Sequence, residues 1–211
     1  MKCLRRWMLP FAGTAAMLLG LEAGPAFANT AGLVQSVLQT PTSTVGCAAP
    51  RLTQPFLSAG DLNWYGPLPG QTAGSFTIAG WGLSGGARIV TTQLANGGSG
   101  TVLDLPAGSV AITPPICVTT DYPMARMQVR SLVGSQGVDF LVSYAGTNRW
   151  NLPQSAIPVH GRGTNWTLSD PIDIQPSATP GWQLARFALV PVGRSSEYQV
   201  YDIYVDPRMT R

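Results

Sequence analysis

The sequence predicts an all-β protein, a two-sheet antiparallel β-sandwich of jelly-roll type with about eight or nine strands. Three observations support this prediction. After residue 47, Gly and Pro recur about every eight to twelve residues, and the short segments between them alternate apolar and polar side chains. No long stretch shows the apolar period of about 3.6 residues that marks a helix. Short strands separated by frequent turns are typical of sandwiches and barrels.

The first 28 residues have the pattern of a secretory signal peptide. Three basic residues precede an apolar run from Met8 to Leu21 that is too short to span a bilayer, and Ala26-Phe27-Ala28 fits a cleavage site. An uncleaved membrane anchor is the alternative interpretation. We expect a secreted, extracellular protein, in which a segment rich in Thr, Ser, Gly and Pro precedes the folded domain. The expected organisation is a signal peptide at 1–28, a flexible leader at 29–46 and a β-sandwich domain at 47–211.

The charge of the mature chain argues against nucleic acid as a partner. The full chain has 13 basic and 10 acidic residues. Removal of residues 1–28 takes away three basic residues and Glu22, which leaves 10 basic and 9 acidic residues and a net charge of +1. Proteins that bind nucleic acid need clustered Lys and Arg, which this chain lacks. No later segment has the roughly 20 consecutive apolar residues of a membrane span.

Cys47 and Cys117 are the two cysteines that remain after cleavage. Two cysteines in an exported chain predict one disulfide, because the compartments outside the cytoplasm are oxidising. A bridge across these 70 residues would contribute about 4 kcal/mol in the chain-entropy model. Two buried free thiols are the alternative. A metal site is poorly supported, since only His160 could join the two sulfurs as a nitrogen ligand.

Two hairpins are predicted from apolar faces that coincide. The first joins residues 124–133 to 138–144 through a Gly-containing turn and pairs Val129 with Val142. The second joins residues 182–190 to 197–205. A one-residue shift in the apolar set of its last strand predicts a β-bulge near Tyr201-Asp202. Further strands are predicted at Ser75 to Ile78, Ala87 to Thr92, Thr101 to Leu105, Ile116 to Thr119, Trp166 to Leu168 and Pro171 to Ile174.

Four segments of the chain are distinctive: Gln54-Pro-Phe-Leu-Ser-Ala-Gly-Asp-Leu-Asn-Trp-Tyr65, Gly80-Trp-Gly-Leu-Ser-Gly-Gly-Ala87, Pro114-Pro-Ile-Cys-Val118 and Tyr201-Asp-Ile-Tyr-Val-Asp-Pro207. They resemble a group of secreted proteins from high-GC Gram-positive bacteria. The resemblance implies a galactose-binding-type jelly roll, the scaffold of many carbohydrate-binding modules, over about residues 47 to 207. This chain departs from the commoner ending of the group, since Tyr201-Asp202 stands where an acidic pair occupies the bulge.

No catalytic residues are predicted. His160 is the only histidine, and no G-x-S-x-G nucleophile turn is present. Glycoside hydrolysis usually needs two carboxylates, but Glu197 is the sole glutamate of the mature chain and Asp170 fits a local turn. No cofactor is expected. A structural calcium ion held by Asp206 and loop carbonyls stays open, because oxygen-ligand sites leave little trace in a sequence.

A sugar-binding site is the better-supported hypothesis. Sugars stack their apolar C–H faces on indole rings and offer hydroxyls to polar side chains, and tryptophans beside polar residues on loops fit this chemistry. Most tryptophans of such a domain belong to its core, and the polar face of Arg126, Gln128 and Arg130 is interpreted as a solvated surface rather than a groove floor. The candidate ligand-binding residues are Trp166 with His160, Arg162 and Asn165, followed by Trp64 and Tyr65.

The sequence therefore predicts a secreted, non-catalytic binding domain for carbohydrate or cell-envelope ligands. Two alternatives stay open. One is an extracellular hydrolase or lyase with an unrecognised acidic site, and the other is a structural or adhesive envelope protein that binds another protein.

Overall fold

The computed structural model describes residues 51–118, 124–144, 155–174 and 183–206. All regular elements in these ranges are strands, apart from one short 3-10 helix at Leu57–Ala59. None of the described segments forms a helix long and apolar enough to cross a membrane.

Fifteen strand segments occur in the described part of the chain, more than the eight or nine expected. Several are pairings of two or three residues, too short to show an alternating pattern in the sequence. In chain order the strands are β1 Gly66–Pro67, β2 Gln71–Thr72, β3 Ser75–Phe76, β4 Gly82–Ser84, β5 Arg88–Gln93, β6 Ser99–Pro106, β7 Val110–Ile112, β8 Ile116–Val118, β9 Met124–Val133, β10 Val138–Tyr144, β11 Ser155–Val159, β12 Thr167–Leu168, β13 Ile172–Asp173, β14 Gln183–Pro191 and β15 Glu197–Asp206.

The strands form two antiparallel sheets with a common core. The first sheet has the order β12-β9-β15-β6-β5, with β1 beside β15 and β13 beside β9. The second has the order β11-β10-β14-β7-β4, with β8 beside β14, and β2 and β3 form a separate pair. Successive strands repeatedly change sheet, as from β6 to β7, from β9 to β10 and from β14 to β15. The predicted two-sheet sandwich of jelly-roll type is confirmed.

The core lies between the sheets and is built from alternate residues of the long strands. β9 buries Met127 and Val129 there and leaves the residues between them partly exposed. β10 and β14 bring Phe140 and Phe187 together, with ring centroids 4.9 Å apart. Burying side chains of this size contributes about 1.5 to 3 kcal/mol each. This burial fixes which face of each strand points outward, and so it positions the polar face of the first sheet.

The two predicted hairpins are wrong in their pairing, although their strands are placed correctly. β9 pairs with β15, β12 and β13 in the first sheet, whereas β10 pairs with β11 and β14 in the second. β14 and β15 are likewise divided between the sheets. Alternation specifies the side of a strand that faces the core, and strands in opposite sheets satisfy it as well as neighbours do. The connections therefore cross the sandwich instead of closing hairpins.

The predicted bulge at the end of the chain is confirmed. The pairing of β15 with β9 shifts register between Tyr201 and Tyr204. Asp202 lies inside this irregularity and has a φ of 48°, a left-handed conformation that is uncommon for residues other than Gly. The other six predicted strands correspond to β3, β5, β6, β8, β12 and β13.

The predicted disulfide stays a prediction. Cys117 is half-buried on β8, and Cys47 lies outside the described residues. The expected signal peptide, the leader, Trp150 and Trp182 are outside them as well.

Candidate functional site

The outer face of the first sheet carries a row of polar side chains. Because Met127 and Val129 point into the core, the alternate residues Arg126, Gln128 and Arg130 of β9 point away from it. Each of the three has a different environment. The outer face therefore has three neighbouring regions along β9, one around each of these side chains.

Arg126 holds the loop before β1 onto the sheet. Its Nη1 forms an ion pair with Asp61 Oδ2, and its Nε and Nη2 donate to the Ser169 carbonyl at 3.1 and 2.7 Å. The Tyr65 hydroxyl donates to the same Asp61 oxygen at 2.6 Å, and the Asn63 N–H donates to the other at 3.0 Å. Burial raises the pKa of Asp61, but these hydrogen bonds and the nearby arginine outweigh it, so the pKa lies below its ordinary value.

Arg130 is held by a second polar network that spans four strands, β9, β15, β6 and β5. Its Nε and Nη2 donate to Gln199 Oε1 at 2.9 and 2.6 Å, and Nη2 also donates to Thr92 Oγ1 at 2.7 Å. Gln199 Nε2 donates to the fully buried Asp104 at 3.0 Å, and the other carboxylate oxygen lies 2.5 Å from Arg88 Nη2. This network fixes the position of the Arg130 guanidinium.

The Trp166 ring lies against this arginine. The Arg130 guanidinium carbon is 4.5 Å from the ring centroid, a cation–π contact. The indole packs edge-to-face on Tyr201, with centroids 4.6 Å apart, and its Nε1 donates to the Gln93 carbonyl at 2.8 Å. Trp166 is only half-buried, so part of the fixed ring still faces solvent.

Between the Arg126 and Arg130 regions lies a hollow that we call the β9–β15 groove, with a volume of about 440 Å³. Its floor is formed by Gln128 of β9 and by Tyr201 and Asp202 of β15. One wall comes from the segment before β1 and the other from the turns after β2 and β5. The remaining lining residues are Pro55, Ser58, Ala73, Gly74, Leu94, Ala95, Asn96, Gly98 and Ser99.

The floor of the groove is hydrogen-bonded to one of its walls. The Tyr201 hydroxyl accepts a hydrogen bond from the Ala95 N–H at 3.0 Å, and Asp202 Oδ1 accepts one from the Gly74 N–H at 2.8 Å. The wall formed by the turns after β2 and β5 is therefore tied to β15. Burial raises the pKa of Asp202, and burial with the charge of Asp202 nearby also raises the pKa of Tyr201. The described residues offer the Gln128 amide no hydrogen-bond partner, which leaves it to solvent or to a ligand.

A second hollow of about 350 Å³ lies on the other side of the segment before β1. We call it the Asp61 hollow, because Asp61, Arg126 and Tyr65 line it together with neighbouring loop residues. Its charged groups are already paired with each other. The two hollows are thus adjacent on one sheet face. They differ in the partners of their carboxylates, since Asp61 is paired with Arg126 and Asp202 accepts one backbone N–H.

The structure separates the residues of the predicted site into three groups. Trp166 joins the Arg130 face, which sequence reasoning had treated as a separate solvated surface. Trp64 is 53% exposed, whereas the Tyr65 ring is buried and packs edge-to-face on Phe56, at 5.2 Å between centroids. The remaining three residues, all exposed on the segment between β11 and β12, are His160, Arg162 and Asn165.

Sequence reasoning did not select the groove residues Gln128, Tyr201 and Asp202 as a site. The available signal was the predicted bulge at Tyr201-Asp202 next to the polar row of β9. No three His, Cys, Asp or Glu side chains are grouped as metal ligands among the described residues. The Asp206 side chain, considered for calcium, lies outside the description.

No protein-family model matches the chain, and no curated protein matches its sequence. Several solved structures resemble it at low identity. A family 11 carbohydrate-binding module from Clostridium thermocellum, in complex with a β-1,3-1,4-mixed-linked tetrasaccharide, is 13% identical. It has a TM-score of 0.38, with 78% of this chain and 100% of that chain covered.

Two further structures resemble the chain to a similar degree. A CBM22-1 xylan-binding domain from Paenibacillus barcinonensis is 15% identical over 62% of this chain and 88% of that chain, with a TM-score of 0.40. TmCBM61, in complex with β-1,4-galactotriose, is 12% identical over 66% and 95%, with a TM-score of 0.36. These likenesses are distant and concern the arrangement of the strands alone.

Proposed function

We propose that this protein is a non-catalytic binding domain whose β9–β15 groove binds carbohydrate. The observation that carries the proposal is the composition of the groove floor. Gln128 offers an amide that has no hydrogen-bond partner among the described residues, and Asp202 offers a carboxylate with one oxygen bound by a single N–H. Trp166 lies against Tyr201 beside them. These groups combine fixed hydrogen-bonding positions with an aromatic surface.

Carbohydrate is the ligand class that this combination fits best. Each sugar hydroxyl both donates and accepts hydrogen bonds, so a site needs donors as well as acceptors. Amide and carboxylate side chains supply both. The apolar face of a pyranose ring packs on aromatic surface, which half-exposed Trp166 supplies. A volume of about 440 Å³ also lies within the usual range for small-ligand sites.

The rigidity of the floor favours binding. Gln128, Tyr201 and Asp202 stand on two long paired strands, and the wall formed by the turns after β2 and β5 is hydrogen-bonded to β15. A ligand that enters such a site orders few side chains, so less of its interaction energy is lost to conformational entropy.

The acid–base inventory of the groove favours binding over hydrolysis. Among the described lining residues, Asp202 is the single carboxylate. Glycoside hydrolysis by the usual mechanism needs a pair of carboxylates about 5 to 10 Å apart. Asp61, which lines the neighbouring hollow, is already bound by an arginine and a tyrosine.

The loop before β12 extends the proposed site along the sheet. Exposed His160, Arg162 and Asn165 precede Trp166 and are available to a ligand longer than the groove. We place the domain outside the cytoplasm, because residues 1–28 have the pattern of a signal peptide.

A panel of plant, fungal and bacterial oligosaccharides, screened by array and followed by calorimetry, tests the proposal. We expect binding to at least one member, and Gln128→Ala should weaken it by about fivefold, the value of roughly 1 kcal/mol for one hydrogen bond. Gln136→Ala is the matched control, since Gln136 is exposed in the turn between β9 and β10 and should leave affinity unchanged. Folded protein that binds no member of the panel would contradict the proposal.

A further inference from the structure

We infer that Asp202 makes the β9–β15 groove selective for saccharides that carry no negative charge, an inference that rests on the function proposed above. Neutral and amino sugars would enter, whereas uronic and sulfated sugars would be excluded. The selectivity follows from which groups line the groove, how the carboxylate is partnered and how firmly it is held.

The charge of the groove comes from one side chain. The other described lining residues are Ser, Asn, Gln, Gly, Ala, Leu, Pro and Tyr, none of which is cationic. Two titratable phenols interact with Asp202, those of Tyr201 and Tyr204. Burial raises the pKa of both, to about 12 for Tyr204, so they stay neutral across the physiological range. Asp202 is therefore the one described lining residue whose ionisation can place a negative charge in the groove.

None of the described residues forms an ion pair with Asp202. Every ion pair found between described residues uses Asp61, Asp104 or Glu197 as its acid. Asp202 instead accepts one hydrogen bond from the neutral Gly74 N–H. An ionised carboxylate has acceptor capacity for several donors, so Asp202 can accept from sugar hydroxyls or an ammonium group. A ligand carboxylate or sulfate ester group brings only acceptors and a like charge, which an interface penalises.

The arginine beside the groove does not offset this repulsion. The Arg130 guanidinium is engaged by Gln199, Thr92 and the Trp166 ring. Its Nε and Nη2 are directed to Gln199 and Thr92, and Arg130 is not among the residues that line the groove. Arg130 therefore supports the Trp166 ring rather than serving as a counter-ion for the groove.

Asp202 is positioned by its backbone conformation and by one hydrogen bond. Its φ of 48° is set by the register shift in β15, and Oδ1 is tied to the wall through Gly74. Left-handed backbone is costly for most residues, and such conformations persist where the surrounding structure imposes them. A fixed carboxylate at the floor acts on every ligand that reaches it.

The test compares matched neutral and acidic saccharides on the purified protein. The probes are galactan with galacturonan oligosaccharides, glucan with glucuronan, mannan with mannuronan, and sulfated forms of the neutral members. We expect wild-type protein to bind at least one neutral probe. Its affinity for the acidic counterpart should be lower by a factor on the order of ten or greater, and a factor of ten corresponds to about 1.4 kcal/mol. Asp202→Asn should reduce that ratio to near one, because the amide keeps the shape and loses the charge.

Asp139→Asn is the matched control. Asp139 is also half-buried and has a pKa raised by burial, but it lies on β10 in the second sheet, so the control changes net charge equally without touching the groove. It should retain the wild-type ratio. Equal binding of neutral and acidic probes by the wild type, or a preference unchanged in Asp202→Asn, would overturn the inference while leaving carbohydrate binding in place. Absence of binding to every probe by folded protein would overturn both.

Discussion

The two hollows on the outer face of the first sheet share a wall and treat their carboxylates in opposite ways. In the Asp61 hollow the carboxylate receives an arginine, a tyrosine hydroxyl and a backbone N–H. In the β9–β15 groove Asp202 receives one backbone N–H. The pKa is accordingly lowered for Asp61 by its partners and raised for Asp202 by burial.

This difference separates a structural carboxylate from one available to a ligand. A carboxylate with its acceptor positions filled stabilises the fold, and its removal leaves partners unsatisfied. A partly buried carboxylate with unfilled acceptor positions slightly lowers the free energy of unfolding of the ligand-free protein. A ligand that donates hydrogen bonds to those positions offsets this loss. Regions that bind ligands are commonly less stable than the rest of a structure for this reason. The comparison can be tested with substitutions on each side of the shared wall.

The largest expected effect is that of Arg126→Ala on the Asp61 side. The Asp61 side chain is 7% exposed, so removing its arginine leaves a buried carboxylate with only hydrogen bonds to compensate it. Breaking such a pair typically costs about 3 to 5 kcal/mol. We expect a loss of about 3 kcal/mol in the free energy of unfolding, measured by urea denaturation. Arg162→Ala removes the same charge from an exposed loop and should change stability by less than about 0.5 kcal/mol. Equal effects of the two variants would refute the structural role.

Sequence reasoning could anticipate the alternation that underlies both hollows. Arg126, Gln128 and Arg130 were assigned to one face of β9, and the bulge at Tyr201-Asp202 was placed correctly. Both follow from local pattern, since burial of every second residue leaves a period of two. Strand pairing did not follow, because a core shared by two sheets accepts several neighbours with the same alternation.

The site itself depends on contacts distant in sequence. Arg126 meets Asp61 across 65 residues, and the Gly74 N–H meets Asp202 across 128. Trp166 was chosen for its polar loop neighbours, but the structure places it on Arg130 instead. Partners of this kind are selected by the fold and leave no spacing signal in a single sequence.

An intermediate effect is expected for Asp202→Asn, and it should depend on pH. Because the pKa of Asp202 is raised in the fold, its protonated form is favoured there, and this contribution to stability is lost as the pH rises through the folded value. Asn resembles the protonated acid and tolerates left-handed backbone. At neutral pH the variant should be more stable than wild type by roughly 1 kcal/mol or less, since solvent still reaches the groove. The difference should vanish as the pH falls toward the ordinary carboxyl value of 3.8.

Asp61→Asn should change the free energy of unfolding in the opposite direction. Its pKa is lowered in the fold, so its stabilising contribution is present above 3.8 and is lost as the pH falls through the folded value. This variant should be less stable than wild type at neutral pH, with a deficit that shrinks in acid. Thermal unfolding between neutral pH and about pH 3 follows both differences. If both variants differed from wild type in the same direction at neutral pH, the two carboxylates would not have these distinct roles.

The smallest expected effect is that of Gln128→Ala on stability, and its value lies in the contrast with Gln199→Ala. Both glutamines occupy the outer face of the first sheet, on neighbouring strands. Gln199 is 6% exposed and joins Arg130 to Asp104, so its removal leaves buried polar groups unsatisfied, at a cost of about 1 to 3 kcal/mol.

Gln128 has no side-chain partner among the described residues and borders the groove, so its truncation should change the free energy of unfolding by less than about 0.5 kcal/mol. Paired urea denaturation curves measure both values. A loss for Gln128→Ala as large as that for Gln199→Ala would show that the floor amide serves the fold. A small loss, together with the reduced affinity expected above, would assign its hydrogen-bonding capacity to the ligand.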